Sequence, residues 1–332
     1  MDGRVVAITG GTGFLGSWVV RGLIERGAEV RALAREGTDD SNLTGLPIER
    51  VSGTLEDRGA LRELCDGADV AVHLAALVSF RSEDDDASRR INVEGTGAFL
   101  DAAQRSSVRR FLHCSSTAAI GITPDGRPAD ENCAWDLDRF EVAYLTTKRE
   151  AEELALAADR DGFEVVVVNP TSLFGPGDRR AAGYESVRAI RKKGLPVEPP
   201  GGLCTADVRD VATTLLTALE RGGAGERYIL GGDNLSGREF AAAMVRPFGH
   251  RPPRLRVPRP VFPIALGVAR VLDRVLPNGT PFPVGVLRLA SEKFWFDSSK
   301  AERELDYVCR PIEQTMDDAA EWIDQLGTDS GE

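Results

Sequence analysis

A tyrosine and a lysine four residues apart, Tyr144 and Lys148, stand in a segment with helical spacing. Side chains at positions i and i+4 share one face of a helix, so we expect the lysine ammonium beside the phenol. A neighbouring positive charge stabilises a phenolate and lowers the pKa of a tyrosine from about 10. A phenol tuned in this way can give or take a proton at a carbonyl or alcohol oxygen.

Hydroxyl side chains follow a strand-like segment upstream of this pair, in the run Ser115, Ser116 and Thr117. A hydroxyl such as that of Ser116 can bind the same substrate oxygen and share the charge that develops there. The sequence thus carries a proton donor, a cation that tunes it and a second hydrogen-bonding group. Each of these would be unremarkable alone, and their order along the chain favours a catalytic role.

A glycine-rich segment near the N-terminus, residues 9–16, follows one strand-like run and opens a helical one. Glycines in this position permit a tight turn and let the backbone approach a pyrophosphate, which then meets the N–H groups of the helix N-terminus. The pattern therefore predicts a dinucleotide cofactor. The candidate phosphate-binding residues are Gly10, Thr12, Gly13, Phe14, Leu15 and Gly16.

The elements that must position these residues alternate between strand and helix through the first half of the chain. The four consecutive valines 165–168 are apolar on both faces, as a central parallel strand requires. Repeated strand–helix–strand units predict an α/β fold with a doubly wound parallel sheet, the Rossmann architecture. The predicted strands are 4–9, 29–34, 48–52, 69–74, 110–116 and 164–169, and the predicted helices are 14–26, 57–65, 87–105 and 140–160.

Proline and glycine become more frequent after Pro170, which indicates a smaller second unit. We therefore expect a cofactor-binding domain over residues 1–170 and a smaller C-terminal α/β substrate lobe over residues 171–328, parts of which can return to the first sheet. A frayed tail is expected at 329–332.

Composition excludes several classes of protein. The chain has 332 residues, and 52 acidic against 41 basic side chains give a formal charge of −11, which disfavours nucleic-acid binding. The longest apolar stretch, 261–276, is interrupted by charges, so we expect an amphipathic helix and no membrane partner. Five cysteines without a C-x-x-C and an N-terminus unlike a signal peptide predict a cytoplasmic protein. Three scattered histidines predict no metal site.

Four motifs in order resemble those of the extended short-chain dehydrogenases/reductases, the NAD-dependent epimerase/dehydratase family. The glycine spacing resembles T-G-x-x-G-x-x-G. The segment 91–96 resembles the family's N-V-x-G-T helix, and residues 144–148 form its Y-x-x-x-K. Between the glycine loop and the segment 91–96 lies the remaining motif, the small-residue strand end formed by His73, Leu74, Ala75 and Ala76.

This resemblance implies roles for particular residues. Ser116, Tyr144 and Lys148 match the catalytic triad, and Asn92 matches an asparagine that holds a water behind the lysine. The resemblance also implies cofactor contacts at Leu74, Ala75, Ala76, Asn169 and Pro170, with Tyr144 and Lys148 contributing. The implied substrate contacts are Ser116, Thr117, Tyr144 and Ser172.

The choice between NAD and NADP depends on the residues that end the second and third strands. An acid there binds the ribose 2′-hydroxyl, whereas an arginine accepts a 2′-phosphate. Ala34 occupies the expected position of the acid and Arg35 follows it, which favours NADP, although Glu36 is close enough to keep NAD open. At the third strand, Thr54 precedes Leu55 where the family often has an aspartate.

Asn169 and Ser172 stand where the nucleotide-sugar epimerases of the family carry an arginine and an asparagine that meet the sugar diphosphate. Residues 203–205 also lack the phosphate-binding arginine of those enzymes. The remaining motifs resemble the dihydroflavonol-reductase-like branch, except that Cys204 and Thr205 replace its usual Asn-Phe.

The first expectation is therefore an NAD(P)-dependent oxidoreductase that interconverts a carbonyl and an alcohol on a small organic substrate. A nucleotide-sugar epimerase or dehydratase with tightly held NAD, and a non-catalytic NAD(P)-sensing protein, remain as alternatives. The resemblance further implies a homodimer formed through the two long helices, 87–105 and 140–160.

Overall fold

The computed structural model describes residues 1–179, 182–198, 200–255, 267 and 284–329. The helix predicted at 261–276 lies outside these residues apart from Gly267, and so does the end of the predicted tail beyond 329.

Seven strands form the main sheet, and every neighbouring pair is parallel. They are β1 (Val5–Thr9), β2 (Glu29–Ala34), β3 (Ile48–Ser52), β4 (Val70–His73), β5 (Arg110–Cys114), β6 (Glu164–Pro170) and β9 (Arg227–Leu230). The order is β3-β2-β1-β4-β5-β6-β9, so the chain reverses its winding direction between β1 and β4. Ligands of such sheets bind at this switch point, outside the carboxyl ends of the strands. The predicted doubly wound fold is confirmed.

Helices cover both faces of this sheet. They are α1 (Phe14–Glu25), α2 (Arg58–Cys65), α3 (Asp85–Ser88), α4 (Gly95–Gln104), α5 (Ala143–Ala157) and α7 (Val208–Arg221). Helices α1 and α7 pack on one face, and α2, α4 and α5 pack on the other. The valines of β6 serve both cores: Val166 and Val168 lie in the first, and Val165 and Val167 in the second. This alternation explains why all four positions are apolar.

A smaller sheet lies in the C-terminal half. Its strands are β7 (Ser172–Phe174), β8 (Gly202–Asp207), β10 (Asn234–Ser236) and β11 (Lys293–Phe294), with β8 paired to each of the others. The accompanying helices are α6 (Ala182–Lys193), α8 (Gly237–Val245), α9 (Val284–Leu289), α10 (Ser299–Leu305) and α11 (Ile312–Asp329). Strand β9 comes from this half of the sequence and completes the main sheet.

Two of the predicted helices differ in detail from the observed ones. The helix predicted at 87–105 contains a π-helical segment, Arg89–Glu94, between α3 and α4. The helix predicted at 140–160 is α5, which begins at Ala143 after a 3₁₀ turn, Leu137–Phe140. The helix predicted at 57–65 is α2, which begins at Arg58 after Asp57, whose carboxylate caps it by accepting from the N–H groups of Gly59 and Ala60.

Candidate active site

The glycine-rich loop joins β1 to α1 with very little space around its backbone. Gly10 has φ +73°, and a Cβ there would lie 2.5 Å from the backbone nitrogen of Ala75. A Cβ on Gly16 would lie 2.0 Å from the Gly10 carbonyl oxygen. Gly13 caps α1 without a side-chain hydrogen bond, and the first turn carries no acid. The loop therefore fits a pyrophosphate held by backbone N–H groups.

The other expected cofactor residues surround this loop at the carboxyl edge of the sheet. Arg35 follows β2 directly, Thr54 lies two residues after the end of β3, and both are exposed, while Leu55 is buried. On the far side of the switch point, Leu74 and Ala75 are half-buried and Ala76 is exposed. Half-buried side chains in the loop itself are those of Thr12, Phe14 and Leu15.

Ser116 and Tyr144 meet where β5 ends and α5 begins. The hydroxyl groups of Ser116 and Tyr144 are close enough for Ser116 to lower the pKa of the phenol, and the Ser116 hydroxyl accepts from the N–H of Ala118 at 3.1 Å. Lys148 lies one turn along α5 and is buried. Its ammonium donates to the carbonyl oxygen of Cys114 at 2.9 Å. Serine and tyrosine thus offer two hydroxyl groups to one point in space.

The expectation that Lys148 brings the pKa of Tyr144 below its ordinary value of about 10 is wrong. Burial raises the pKa of Tyr144 to about 12, and the hydrogen bond from Ser116 opposes that shift only in part. Burial also lowers the pKa of Lys148. Desolvation of the phenol dominates the pKa of Tyr144, and the Lys148 ammonium is bound to the Cys114 carbonyl rather than to the phenol. The phenol is therefore neutral at neutral pH.

Asn92 lies in the π-helical segment and is buried. Its side-chain oxygen accepts from the N–H of Leu77 at 2.7 Å, and its amide donates to the Leu77 carbonyl at 3.0 Å and to Thr147 Oγ1 at 3.2 Å. Asn92 thereby ties the segment after β4 to the residue preceding Lys148.

A buried histidine links the glycine loop to this asparagine. The Thr96 hydroxyl donates to the carbonyl of Asn92 at 2.6 Å, so it accepts from Nε2–H of His73 at 2.9 Å. His73 Nδ1 then accepts from the hydroxyl of Thr9 at 2.6 Å. Burial lowers the pKa of His73 to about 3, so the imidazole stays neutral at ordinary pH and these hydrogen bonds keep their directions. His73 thus joins β1 to the helix that carries Asn92 through hydrogen bonds to Thr9 and Thr96.

An apolar cavity of about 310 Å³ opens over the Ser116–Tyr144 pair. Thr117 and Ser172 also line it, so the structure brings all four expected substrate residues together. The ring of Phe80 packs against that of Tyr144 with centroids 5.5 Å apart. The further walls are mostly apolar and include Leu145, Leu203, Cys204, Phe240, Val286, Leu289, Phe294 and Phe296.

Asn169 and Pro170, two further expected cofactor residues, are also buried. The side chain of Asn169 donates to the carbonyl of Ser116 at 3.0 Å and to the carboxylate of Glu152. Pro170 is buried, and its carbonyl accepts from the Thr117 hydroxyl at 3.5 Å. Sequence reasoning missed Glu152, although it lies four residues after Lys148 on the same helical face, which is a readable signal.

Among the residues that the structure describes, no group of histidine, cysteine or acidic side chains has the arrangement of a metal site. The five cysteines are free thiols. Within the same residues, no helix combines the length and apolar character needed to cross a membrane.

Comparison with known proteins assigns the family. The model of the NAD-dependent epimerase/dehydratase family matches residues 6–231, and the chain belongs to that family. It is an NAD(P)-dependent oxidoreductase of the extended short-chain dehydrogenase/reductase type.

Relatives align over nearly the whole chain. A putative dihydroflavonol 4-reductase from Synechocystis is 36% identical, over 96% of this chain and 94% of the relative. Sterol demethylase protein B from Methylococcus capsulatus is 34% identical, over 96% and 98%. The crystal structure of gox2253 superposes with a TM-score of 0.86 at 32% identity, covering 98% of this chain and 99% of the other.

Proposed function

We propose that this protein interconverts a carbonyl and an alcohol on a small, largely apolar organic substrate, with NADP as the favoured cofactor. The observation that carries the proposal is the paired hydroxyls of Ser116 and Tyr144 at the floor of an apolar cavity. That cavity adjoins the carboxyl edge of the sheet, where the fold places a dinucleotide.

Each member of the triad has a distinct task in carbonyl reduction. The neutral Tyr144 phenol donates its proton to the oxygen of the carbonyl as negative charge develops there. Ser116 donates a second hydrogen bond and orients the same oxygen. Lys148 places a buried positive charge behind the phenol and stabilises the phenolate that remains. When bound, the nicotinamide supplies the hydride to the carbonyl carbon, or takes it from the alcohol in the reverse direction.

The cavity favours an uncharged substrate over a nucleotide sugar. Among the described residues, its lining contains no arginine or lysine that could neutralise a diphosphate. Burying an unpaired phosphate against phenylalanine and leucine side chains is strongly unfavourable. A name carried by a relative, sterol demethylase protein B, is consistent with an apolar substrate but does not identify it.

The NADP preference rests on Arg35 and Thr54. Both are exposed at the ends of adjacent strands, and neither position presents a carboxylate to a 2′-phosphate. Arginine is the side chain best suited to bind a phosphate in two-point geometry. We expect Arg35→Ser to weaken NADPH binding by about tenfold, the loss of one charge-assisted contact, with little effect on NADH.

The test is oxidation of NADPH and of NADH, followed by near-ultraviolet absorbance, with a panel of apolar ketones and aldehydes. Turnover that Tyr144→Phe abolishes while cofactor binding survives would support the proposal. Tight cofactor retained through purification, together with binding of UDP and no carbonyl turnover, would favour the epimerase alternative. Failure to bind either NADP(H) or NAD(H) would contradict both the oxidoreductase and the epimerase hypotheses.

We also propose a homodimer built through α4 and α5, and a cytoplasmic location. The five free thiols support a reducing compartment.

A further inference from the structure

A buried ion pair lies directly behind the candidate triad. Glu152 follows Lys148 by one helical turn on α5, and its side chain has no exposed surface. One carboxylate oxygen accepts from Arg227 Nη1 at 2.8 Å. A second nitrogen of Arg227 donates to the carbonyl of Glu131. The arginine comes from β9, at the edge of the main sheet, so the pair joins α5 to that strand.

The other carboxylate oxygen of Glu152 accepts from the side-chain amide of Asn169. The same NH₂ group donates to the carbonyl of Ser116 at 3.0 Å. Reversing the amide of Asn169 would place its oxygen against two acceptors, so this orientation is the only one that satisfies both. The backbone of Ser116 is therefore held by a chain of hydrogen bonds that ends on a carboxylate.

Stability alone does not account for a buried pair of this kind. Removing two charges from water costs several kcal/mol per ion, and apolar residues of similar volume often serve the folded state as well or better. A carboxylate in this place does supply two things that apolar residues cannot. It fixes the Asn169 amide, and it places a negative charge one turn from the buried ammonium of Lys148.

We propose that Glu152, held by Arg227, is a positioning residue for the reaction: it anchors Ser116 through Asn169 and supports the charge of Lys148. Glu152 itself does not touch the substrate cavity. Tyr144, Lys148 and Glu152 occupy positions i, i+4 and i+8, so one face of α5 carries the proton donor, the cation and its counter-charge. The inference rests on the proposed oxidoreductase chemistry of this site.

The decisive variant is Glu152→Gln, which keeps the size and one acceptor but removes the charge. We expect kcat to fall by about tenfold to a hundredfold, as when an outer partner of a functional group is removed, with KM for the carbonyl nearly unchanged. The alkaline limit of activity should also move to lower pH. Burial lowers the pKa of Lys148, and the Cys114 thiol and the Glu152 carboxylate both oppose that shift, so loss of the Glu152 charge lets the ammonium deprotonate at lower pH.

Asn169→Ala separates the two effects. It breaks the link to the Ser116 backbone but leaves the Glu152–Arg227 pair, so kcat should fall without a shift of the alkaline limit. It also keeps the proposal testable if Glu152→Gln does not fold. Glu164→Gln is the matched control. Glu164 at the start of β6 pairs with Arg110 at the start of β5, at the edge of the sheet opposite to the candidate site. Its kinetics should equal those of the parent protein.

The outcomes distinguish this inference from the proposed function. If the parent protein reduces carbonyls and Glu152→Gln loses only thermal stability, with kcat and the pH profile unchanged, Glu152 is merely structural and the inference is wrong. A folded parent protein that binds cofactor but shows no Tyr144-dependent turnover overturns the proposed function instead. A fall in kcat with rescue by Glu152→Asp, which restores the charge, would support the positioning role.

Discussion

The chemistry of the site depends on the environment of a single phenol. Tyr144 is half-buried between Ser116 and the ring of Phe80, and burial holds its pKa at about 12. Two pH units below that value only about one phenol in a hundred is ionised. A neutral phenol suits the donor role in reduction, whereas oxidation of an alcohol requires a phenolate or a base that forms one.

The free protein should therefore show no ionisation of Tyr144 up to about pH 10. Burial penalises the charged form, so the raised pKa of Tyr144 means that the proton stays bound over this range. The measurement is an ultraviolet pH titration of the parent protein minus that of Tyr144→Phe, which cancels the other tyrosines. A step in this difference near pH 7 would show that Lys148 dominates after all.

At the scale of single elements, the turn from β1 to α1 is the tightest contact in the site. A Cβ at Gly16 would lie 2.0 Å from the carbonyl of Gly10, which is backbone and cannot move aside cheaply. Gly10 in turn approaches the backbone after β4. A single added methyl group therefore pushes the loop away from the position that a pyrophosphate needs.

We expect Gly16→Ala to destabilise the fold by about 2 kcal/mol through overpacking and to weaken cofactor binding at least tenfold. Gly67→Ala is the control. Gly67 has φ +66° but nothing within 4 Å of an added Cβ, and it precedes β4 at the opposite edge of the sheet. It should lose stability through backbone strain and keep its cofactor affinity. Thermal unfolding and fluorescence titration with NADPH measure the two quantities. Equal loss of affinity in both variants would contradict the assignment of the loop.

The predictable elements are those whose pattern is local. Alternating apolar runs located six strands of the main sheet, and the glycine spacing located the loop between β1 and α1. The π-helical turn around Asn92 was not readable, because it depends on contacts with Leu77 and Thr147. The short strands of the smaller sheet were also missed, since β8 pairs with segments distant in sequence.

In the candidate site, too, local sequence signals were readable and contacts between distant residues were not. Tyr144, Lys148 and Ser116 could be selected from the sequence, because their types and order carry the signal. The link between Glu152 and Arg227 joins residues 75 positions apart, and no local spacing reports such a contact. The direction of the Tyr144 pKa shift was also beyond the sequence, since it depends on burial.

At the scale of the whole molecule, a charged cluster fastens the C-terminal segment to the rest of the chain. The side chain of Asp207 is fully buried and accepts from Arg209 at 2.9 and 2.7 Å and from Thr315 at 2.9 Å. Arg209 also reaches Asp318 on α11 at 2.7 Å. Arg310, just before that helix, forms a two-point pair with Asp210 on α7.

Asp207→Asn should lower the free energy of unfolding by about 3 kcal/mol at neutral pH, because it removes the charge of the buried partner from its pair with Arg209. Burial alone would raise the pKa of Asp207, but the hydrogen bonds from Arg209 and Thr315 outweigh it and lower the pKa. A depressed folded pKa contributes stability above the unfolded value of about 4, and that stability is lost as pH falls further. The difference between parent and variant should therefore shrink from pH 7 to below pH 4.

Thermal or urea unfolding at several pH values measures this difference. Asp125→Asn is the control, because Asp125 pairs with Arg127 at an exposed turn, where ion pairs contribute little. A gap between parent and Asp207→Asn that stays constant into acid would contradict the role of the buried carboxylate.

The surface of α4 and α5 is where we expect two copies of the protein to meet. Helices α4 and α5 pack side by side over one core, and Leu154 on α5 is an exposed large apolar side chain, 43% accessible. A dimer through this face would bury Leu154 near a twofold axis, where each copy meets the same surface of the other.

Light scattering should then report twice the 35.8 kDa of one chain. Leu154→Glu should shift the protein toward the monomer, because it places two like charges in that interface. Val308→Glu is the control. Val308 is more exposed than Leu154 and lies in the segment before α11, so this variant should remain dimeric. A mass of one chain for the parent protein at micromolar concentration would contradict the dimer.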